Sequence, residues 1–289
     1  MKQRVLFLSP ALLFITLLLF VPFVYLLYLS FMDQDYLYGG PALPGFGNYV
    51  EAFRNPVYWE SIVNTFRIGA TVTVATLLIG FPVAYIISVS GKTLAATLTV
   101  VTVLPLFVSV VVRGFGWIIV FGREGPLNAL LQWAGVIDEP LQVLYTEAAV
   151  IIALTHLLLP FMVLPVLASL RAIDKSVIDA AMVLGSRRRD VFLHVIIPLC
   201  SPGFVVGSLL VFLHVLATFV LPAMLGSINI KMIATMIYQQ VMIVGNVPAG
   251  AALAVILFVF TMLVFSLIGA IKNRLTFDAS PLREEGRAR

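Results

Sequence analysis

The chain has 289 residues, 61% hydrophobic and 11% charged, with a formal net charge of +4 and a mean hydropathy of +1.07. A soluble domain carries about 25% charged and 45–50% apolar residues, and no water-soluble fold of this size hides so much apolar surface. The single cysteine, Cys200, excludes an internal disulfide framework, cysteine-cluster metal sites and iron–sulfur ligation.

A helix crosses the hydrocarbon core with roughly 20 mostly apolar residues, each adding about 1.5 Å. Six stretches meet this: 5–29, 65–89, 98–121, 148–170, 203–225 and 249–271. They are continuous, whereas β-barrel spans alternate in segments of about ten residues. The fold class is therefore an all-α polytopic membrane protein with six transmembrane helices, forming one domain over 1–275 with a polar tail at 276–289 expected to be disordered.

With the N-terminus inside, the inner segments hold Lys2, Arg4, Lys92, Arg171, Lys175, Arg187, Arg188, Arg189, Lys272, Arg274, Arg283, Arg287 and Arg289, which is 13 of the 18 basic residues. This positive-inside pattern predicts cytoplasmic termini. It also explains the net charge as a topology signal, with no nucleic acid implied as a partner. Lys2 and Arg4 ahead of an apolar run look like a signal peptide, but the run is too long and no small-x-small cleavage site precedes Asp33, so the helix reads as retained.

In chain order, the outer segment 33–64 is long, aromatic and rich in glycine and proline. Gly91-Lys92-Thr93 resembles the end of a phosphate loop, yet Ile86 stands where the motif needs glycine and no strand precedes it. The outer loop 122–147 holds a short amphipathic stretch at 127–133, and 230–244 is apolar but too short to cross, predicting a re-entrant or interfacial helix. Gly203 and Gly207 form a small-xxx-small pair suited to close helix packing.

The inner loop 171–201 is long and patterned. Asp174 or Ser176 suits a helix start, 177–184 is helical in composition, Gly185 supplies a left-handed stop, a second helix begins near Ser186, and Pro198 interrupts the chain. Val177, Ala181 and Leu184 share one face of the first helix. Two readings stand: a knob inserted in a partner's groove, or an interfacial helix beneath its own bundle.

Asp179-Ala180-Ala181, then Gly185 after three residues, Val195 after nine more, and Ile197-Pro198 together resemble the coupling-loop signature of binding-protein-dependent ABC importer permeases, Glu-Ala-Ala-x3-Gly-x9-Ile-x-Leu-Pro. Here Asp replaces Glu, Val replaces Ile, and Ile replaces Leu. Val112-Arg113-Gly114-Phe115-Gly116-Trp117 with 122–128, Leu159-Pro160-Phe161-Met162-Val163-Leu164-Pro165, and 219–226 are similar to spermidine/putrescine-type permeases, with Gly226-Ser227 in place of Gly-Gly.

The resemblance implies a type I ABC-importer permease fold in a bacterial inner membrane. It implies three partners: a cytoplasmic ATPase dimer that binds ATP and magnesium, a second related permease subunit, and a periplasmic or extracellular solute-binding protein. It also implies no cofactor in this chain, and a coupling role for Asp179, Ala180, Ala181, Leu184, Gly185 and Pro198. The implied cargo is a polyamine such as spermidine or putrescine.

Charged and polar groups within spans are functional candidates. Arg113 either snorkels or pairs with an outer acid such as Glu124, or meets substrate. His156 and His214 either bond between helices or line a pathway, together with Trp117 and Phe161. No Asp or Glu lies within the six spans, which leaves zwitterionic or anionic solutes as an alternative cargo. An ATP-independent secondary transporter would carry intramembrane acids and inverted halves, neither of which the sequence displays.

Overall fold

The computed structural model describes residues 2–40, 44–226 and 230–277. It is helical, with four continuous helices among the described residues long and apolar enough to cross a membrane, and six such spans if each of two bent helix pairs counts as one. The helices are α1 (Lys2–Ser30), α2 (Gly47–Arg54), α3 (Pro56–Val89), α4 (Lys92–Val103), α5 (Val110–Phe121), α6 (Pro126–Trp133), α7 (Glu147–Arg171), α8 (Lys175–Val183), α9 (Arg188–Val191), α10 (Ile197–Leu199), α11 (Ser201–Ala217), α12 (Val220–Leu225), α13 (Ile233–Tyr238) and α14 (Val247–Phe277). α3, with 34 residues, begins at Pro56, so its first turns absorb the end of the segment that reads as an outer loop. Its length, about 50 Å at 1.5 Å per residue, exceeds the hydrocarbon core. The expected tail overlaps α14 at Thr276 and Phe277, and its remainder and Ser227 lie outside the described residues.

The third span is not one helix. Pro105 has no N–H to offer the turn before it. The chain tightens into a 3-10 turn at Leu104–Phe107 and becomes extended at Val108. It then restarts at Val110, with Val110–Trp133 lying 102° from Lys92–Phe107. The fifth span also differs from its expected bounds. Thr218 is extended and ends α11, leaving α12 as a separate short helix. The helical path leading into α11 instead starts earlier, at Arg188, and bends by 56° between Leu199 and Ser201.

Pro198 lies within this path without stopping it. A π-helical turn at Phe192–Ile196 precedes it, closed by Ile197 N–H donating to the Phe192 carbonyl. The wider turn makes room for a ring that would otherwise strike the carbonyl four residues back. The break comes at Cys200.

The chain falls into two compact units, Met1–Trp59 with Met236–Arg289, and Glu60–Thr235. In the first, α14 packs against α1 and α2. Phe23 meets Phe258 with ring centres 4.9 Å apart, and Asn48 Nδ2 donates to the carbonyls of Ser30 and Met32 at 3.1 and 2.8 Å. The 230–244 segment is α13 followed by a π-helical turn at Gln239–Val244 that ends on left-handed Gly245, too short to cross.

In the second unit α7 is the hub, with Leu154, Leu158, Met162, Val163 and Val166 essentially inaccessible. α11 lies along it. A Cβ at Gly203 would fall 2.8 Å from the Pro165 carbonyl oxygen, and one at Gly207 would fall 3.3 Å from the Met162 Cα. Apolar lipid offers helices no hydrophobic reason to associate, so such backbone contact supplies the attraction. α6 is pinned by the buried Asn128, which accepts from Leu141 N–H at 2.8 Å and donates to the carbonyls of Gly122 and Leu141.

Candidate functional site

The loop between α7 and α11 is built from local capping chemistry. Three residues, Ala172, Ile173 and Asp174, separate α7 from α8. The first two are hydrogen-bonded back onto α7, from Ala172 N–H to the Ala168 carbonyl at 3.1 Å and from Ile173 N–H to the Leu170 carbonyl at 3.3 Å, and the Asp174 carbonyl accepts from Val177 N–H of α8 at 3.1 Å. Asp174 caps α8 by accepting from Ser176 N–H at 2.9 Å. That bond favours the ionised carboxylate and holds its pKa below the ordinary 3.8.

At the other end Gly185 has φ +86. Its N–H donates to the Met182 carbonyl at 3.0 Å and Ser186 N–H donates to the Ala181 carbonyl at 3.1 Å. This is the paired closure of a Schellman motif. α8 is therefore fixed at both ends.

Its faces differ from the sequence expectation in one respect. Val177 and Leu184 are exposed, but Ala181 is half-buried and turns with Ile178 toward the bundle, where Ile178 packs against the core. The outward tip is formed by Val183 and Leu184, 87% and 85% exposed in the isolated chain. Asp179 and Ala180 are also exposed. Pro198 lies beyond α9, in the returning helix.

The second candidate surface runs along α5, α7 and α11. α7 is buried on most sides, but Ile152, His156, Leu164 and Ala168 are exposed. Ile152 and His156 lie one turn apart, as do Leu164 and Ala168, with buried Pro160 between the two pairs. His156 meets the edge of Trp117 with ring centres 5.5 Å apart, and Trp117 stacks on Phe121 at 4.7 Å. Phe161 and His214 lie with ring centres 4.2 Å apart.

Neither histidine makes an interhelical hydrogen bond among the described residues. His214 Nδ1 bonds the Leu210 carbonyl of its own helix at 2.8 Å, and His156 has a ring contact instead. Arg113 stands in the first turn of α5, just past the break. It makes no ion pair with Glu124. The ion pair among the described residues joins Arg67 to Glu147 at 2.6 Å. Arg113 Nε and Nη1 are buried with no hydrogen-bond partner among the described residues.

Sequence reasoning missed the other exposed residues of α7. Ile152, Leu164 and Ala168 are as apolar as the buried residues around them, and fourfold spacing from His156 equally selects Pro160, which is buried. It also missed Ile178 as the residue anchoring α8.

These features define a class: an α-helical membrane protein with a rigid helix projecting from one end of its bundle and an aromatic, histidine-bearing face along it. Residues 76–277 match the family of binding-protein-dependent transport system inner membrane components, and the chain belongs to that family. It is a transport subunit of an ABC importer in the inner membrane, and its family is not one of enzymes.

Among curated relatives, the spermidine/putrescine transport system permease protein PotB of Haemophilus influenzae is 33% identical over 251 residues, covering 86% of this chain and 87% of that protein. PotB of Escherichia coli is 30% identical, covering 84% and 88%. The fold also matches a crystal structure of a bacterial alginate ABC transporter in complex with alginate pentasaccharide-bound periplasmic protein. There the TM-score is 0.75 at 21% identity, covering 95% of this chain and 96% of the other.

Proposed function

We propose that this chain is one of two related permease subunits of a polyamine importer, with α8 seated in a cytoplasmic ATPase that binds ATP and magnesium, and with a solute-binding protein delivering cargo from outside. The observation that carries the coupling role is the projecting tip of α8, Val183 and Leu184, held by a cap at Asp174 and a Schellman closure at Gly185. Likeness to PotB over most of the chain supports the polyamine cargo.

The mechanics follow from connectivity. ATP binding draws the two ATPase subunits together and displaces the docked α8. A link of three hydrogen-bonded residues passes that displacement to α7. The seam at Gly203 and Gly207 shares it with α11. Those two helices bear His156, Phe161 and His214, so the stroke arrives at the face proposed to line the pathway. A nucleotide shifts such an equilibrium only through contacts that differ between the two states, and the α8 docking contacts supply that difference. Trp117 and Phe161 offer a passing ammonium group cation–π attraction of about 0.5–2 kcal/mol each.

Uptake of labelled spermidine by the reconstituted importer tests both parts. Gly185→Pro and Asp179→Lys are expected to insert normally and to retain ATP hydrolysis while losing transport. Normal uptake by both variants overturns the coupling role. Competition by anionic solutes but not by putrescine overturns the polyamine cargo.

A further inference from the structure

Two cavities lie side by side around the ends of α3 and α7, on the side from which α8 projects. One, of about 540 Å³, is lined by Ser88, Ser90, Lys92, Thr99 and Arg171 among others. The other, of about 510 Å³, includes Tyr85, Ser88, Arg171, Lys175 and Ile178. Ser88, Ser90 and Arg171 belong to both. Arg171, from the end of α7, lines both cavities, while Lys92, from the start of α4, lines the first and Lys175, from the start of α8, the second; all three are exposed in the isolated chain.

No acidic residue lines either cavity. None of the three cations is ion-paired among the described residues, and the nearby Asp174 carboxylate is engaged with Ser176 N–H. The first turn of α4 adds to this. Gly91 is its N-cap with no side-chain bond, and no acid stands in that turn, so its free N–H groups and helix dipole favour an anion.

The remaining walls are apolar, contributed by Val89, Leu170, Ile173 and Ile196 in one cavity and Ala95 and Val100 in the other. A ligand that satisfies this lining carries a compact negative charge joined to hydrocarbon. The site stands where the apolar runs of α3 and α7 end, and the ends of apolar helices are where charged residues meet headgroups.

We propose that Lys92, Arg171 and Lys175, with the α4 N-terminus, bind the phosphate of an anionic lipid headgroup whose glycerol and acyl portions lie against Val89, Leu170 and Ile196. Free phosphate shares the headgroup chemistry but leaves the apolar walls unfilled. The proposal gives the Gly91-Lys92-Thr93 sequence a role in anion binding without nucleotide chemistry. It does not depend on the cargo or on the ATPase.

The test is lipid retention by the purified chain in detergent, followed by native mass spectrometry during titration with phosphatidylglycerol or phosphatidylcholine. The unaltered chain should hold phosphatidylglycerol preferentially. Lys92→Gln and Arg171→Gln should each weaken that preference about fivefold, from a contribution of ~1 kcal/mol per cation near an anionic surface. Lys92→Arg should keep it, which separates loss of charge from damage to the fold. Replacing Arg187, Arg188 and Arg189 together by Gln alters charge outside the cavities and should leave the preference intact.

Equal retention of the two lipids by the unaltered chain overturns the proposal. So does an equal loss in the Arg187–Arg189 variant. Protection of the lipid-free chain against heat by inorganic phosphate, with no added effect of phosphatidylglycerol, overturns the lipid source.

Discussion

Gly185 and Asp174 decide the geometry of α8 by unlike means. A Cβ at Gly185 would meet nothing within 4 Å, so the case for glycine rests on φ +86 alone. Gly185→Ala should therefore cost about 1 kcal/mol, the penalty of a left-handed L-residue. The amide of Ser186, bonded to Ala181, should then exchange with solvent about fivefold faster, measured by hydrogen–deuterium exchange. Asp174 acts through charge. Its carboxyl is held below the ordinary 3.8 by Ser176 N–H, so the cap's contribution is complete above that value and is lost as pH falls through the lower folded value. Pepsin should cut α8 faster at about pH 2 than at about pH 4.5, relative to an Asp174→Asn chain whose cap does not titrate. A constant ratio would show that the cap does not hold the helix. Both residues were legible in the sequence, because capping is chemistry between near neighbours.

At the level of elements, the sequence located the membrane segments and missed their breaks. Hydropathy averages over a window, and Pro105 and Thr218 sit inside apolar runs too uniform to register a kink. The π turn at Phe192–Ile196 is equally silent, although it lets Pro198 remain within a helix that the sequence expects to be interrupted. The Gly203/Gly207 spacing was visible but common in membrane helices, and packing against Pro165 and Met162 gives it meaning. Gly203→Leu should force α11 off α7 at a cost of ~3 kcal/mol, the upper range for overpacking, and lower the thermal midpoint in detergent by several degrees. Gly116→Ala, where an added Cβ meets nothing within 4 Å, should leave it unchanged or slightly raised. A Gly203→Leu chain as stable as the parent would show that the seam is loose.

Across the whole molecule, exposure in the isolated chain does not distinguish lipid from a water-filled path. Leu18 on α1 is 66% exposed, and His156 and His214 are exposed as well. Sequence could not draw the distinction either, since around α7 Leu, Val and Ile occupy every side, and of the adjacent polar residues Thr155 is buried while His156 is exposed. Chemistry separates the two environments. Hydrocarbon neither admits a charged reagent nor supports a thiolate, whereas an aqueous pathway does both. The chain suits this test because Cys200 is its single cysteine and is fully buried. Against a Cys200→Ser background in native membranes, His156→Cys and His214→Cys should react with a charged methanethiosulfonate reagent. Leu18→Cys, in the apolar run of α1, and Met162→Cys, enclosed in the core, should remain silent. Turnover of the importer should change the rates at 156 and 214 together, because α7 and α11 are locked at their glycine seam. Silence at both histidine positions would place that face against lipid or another subunit and remove it from the pathway.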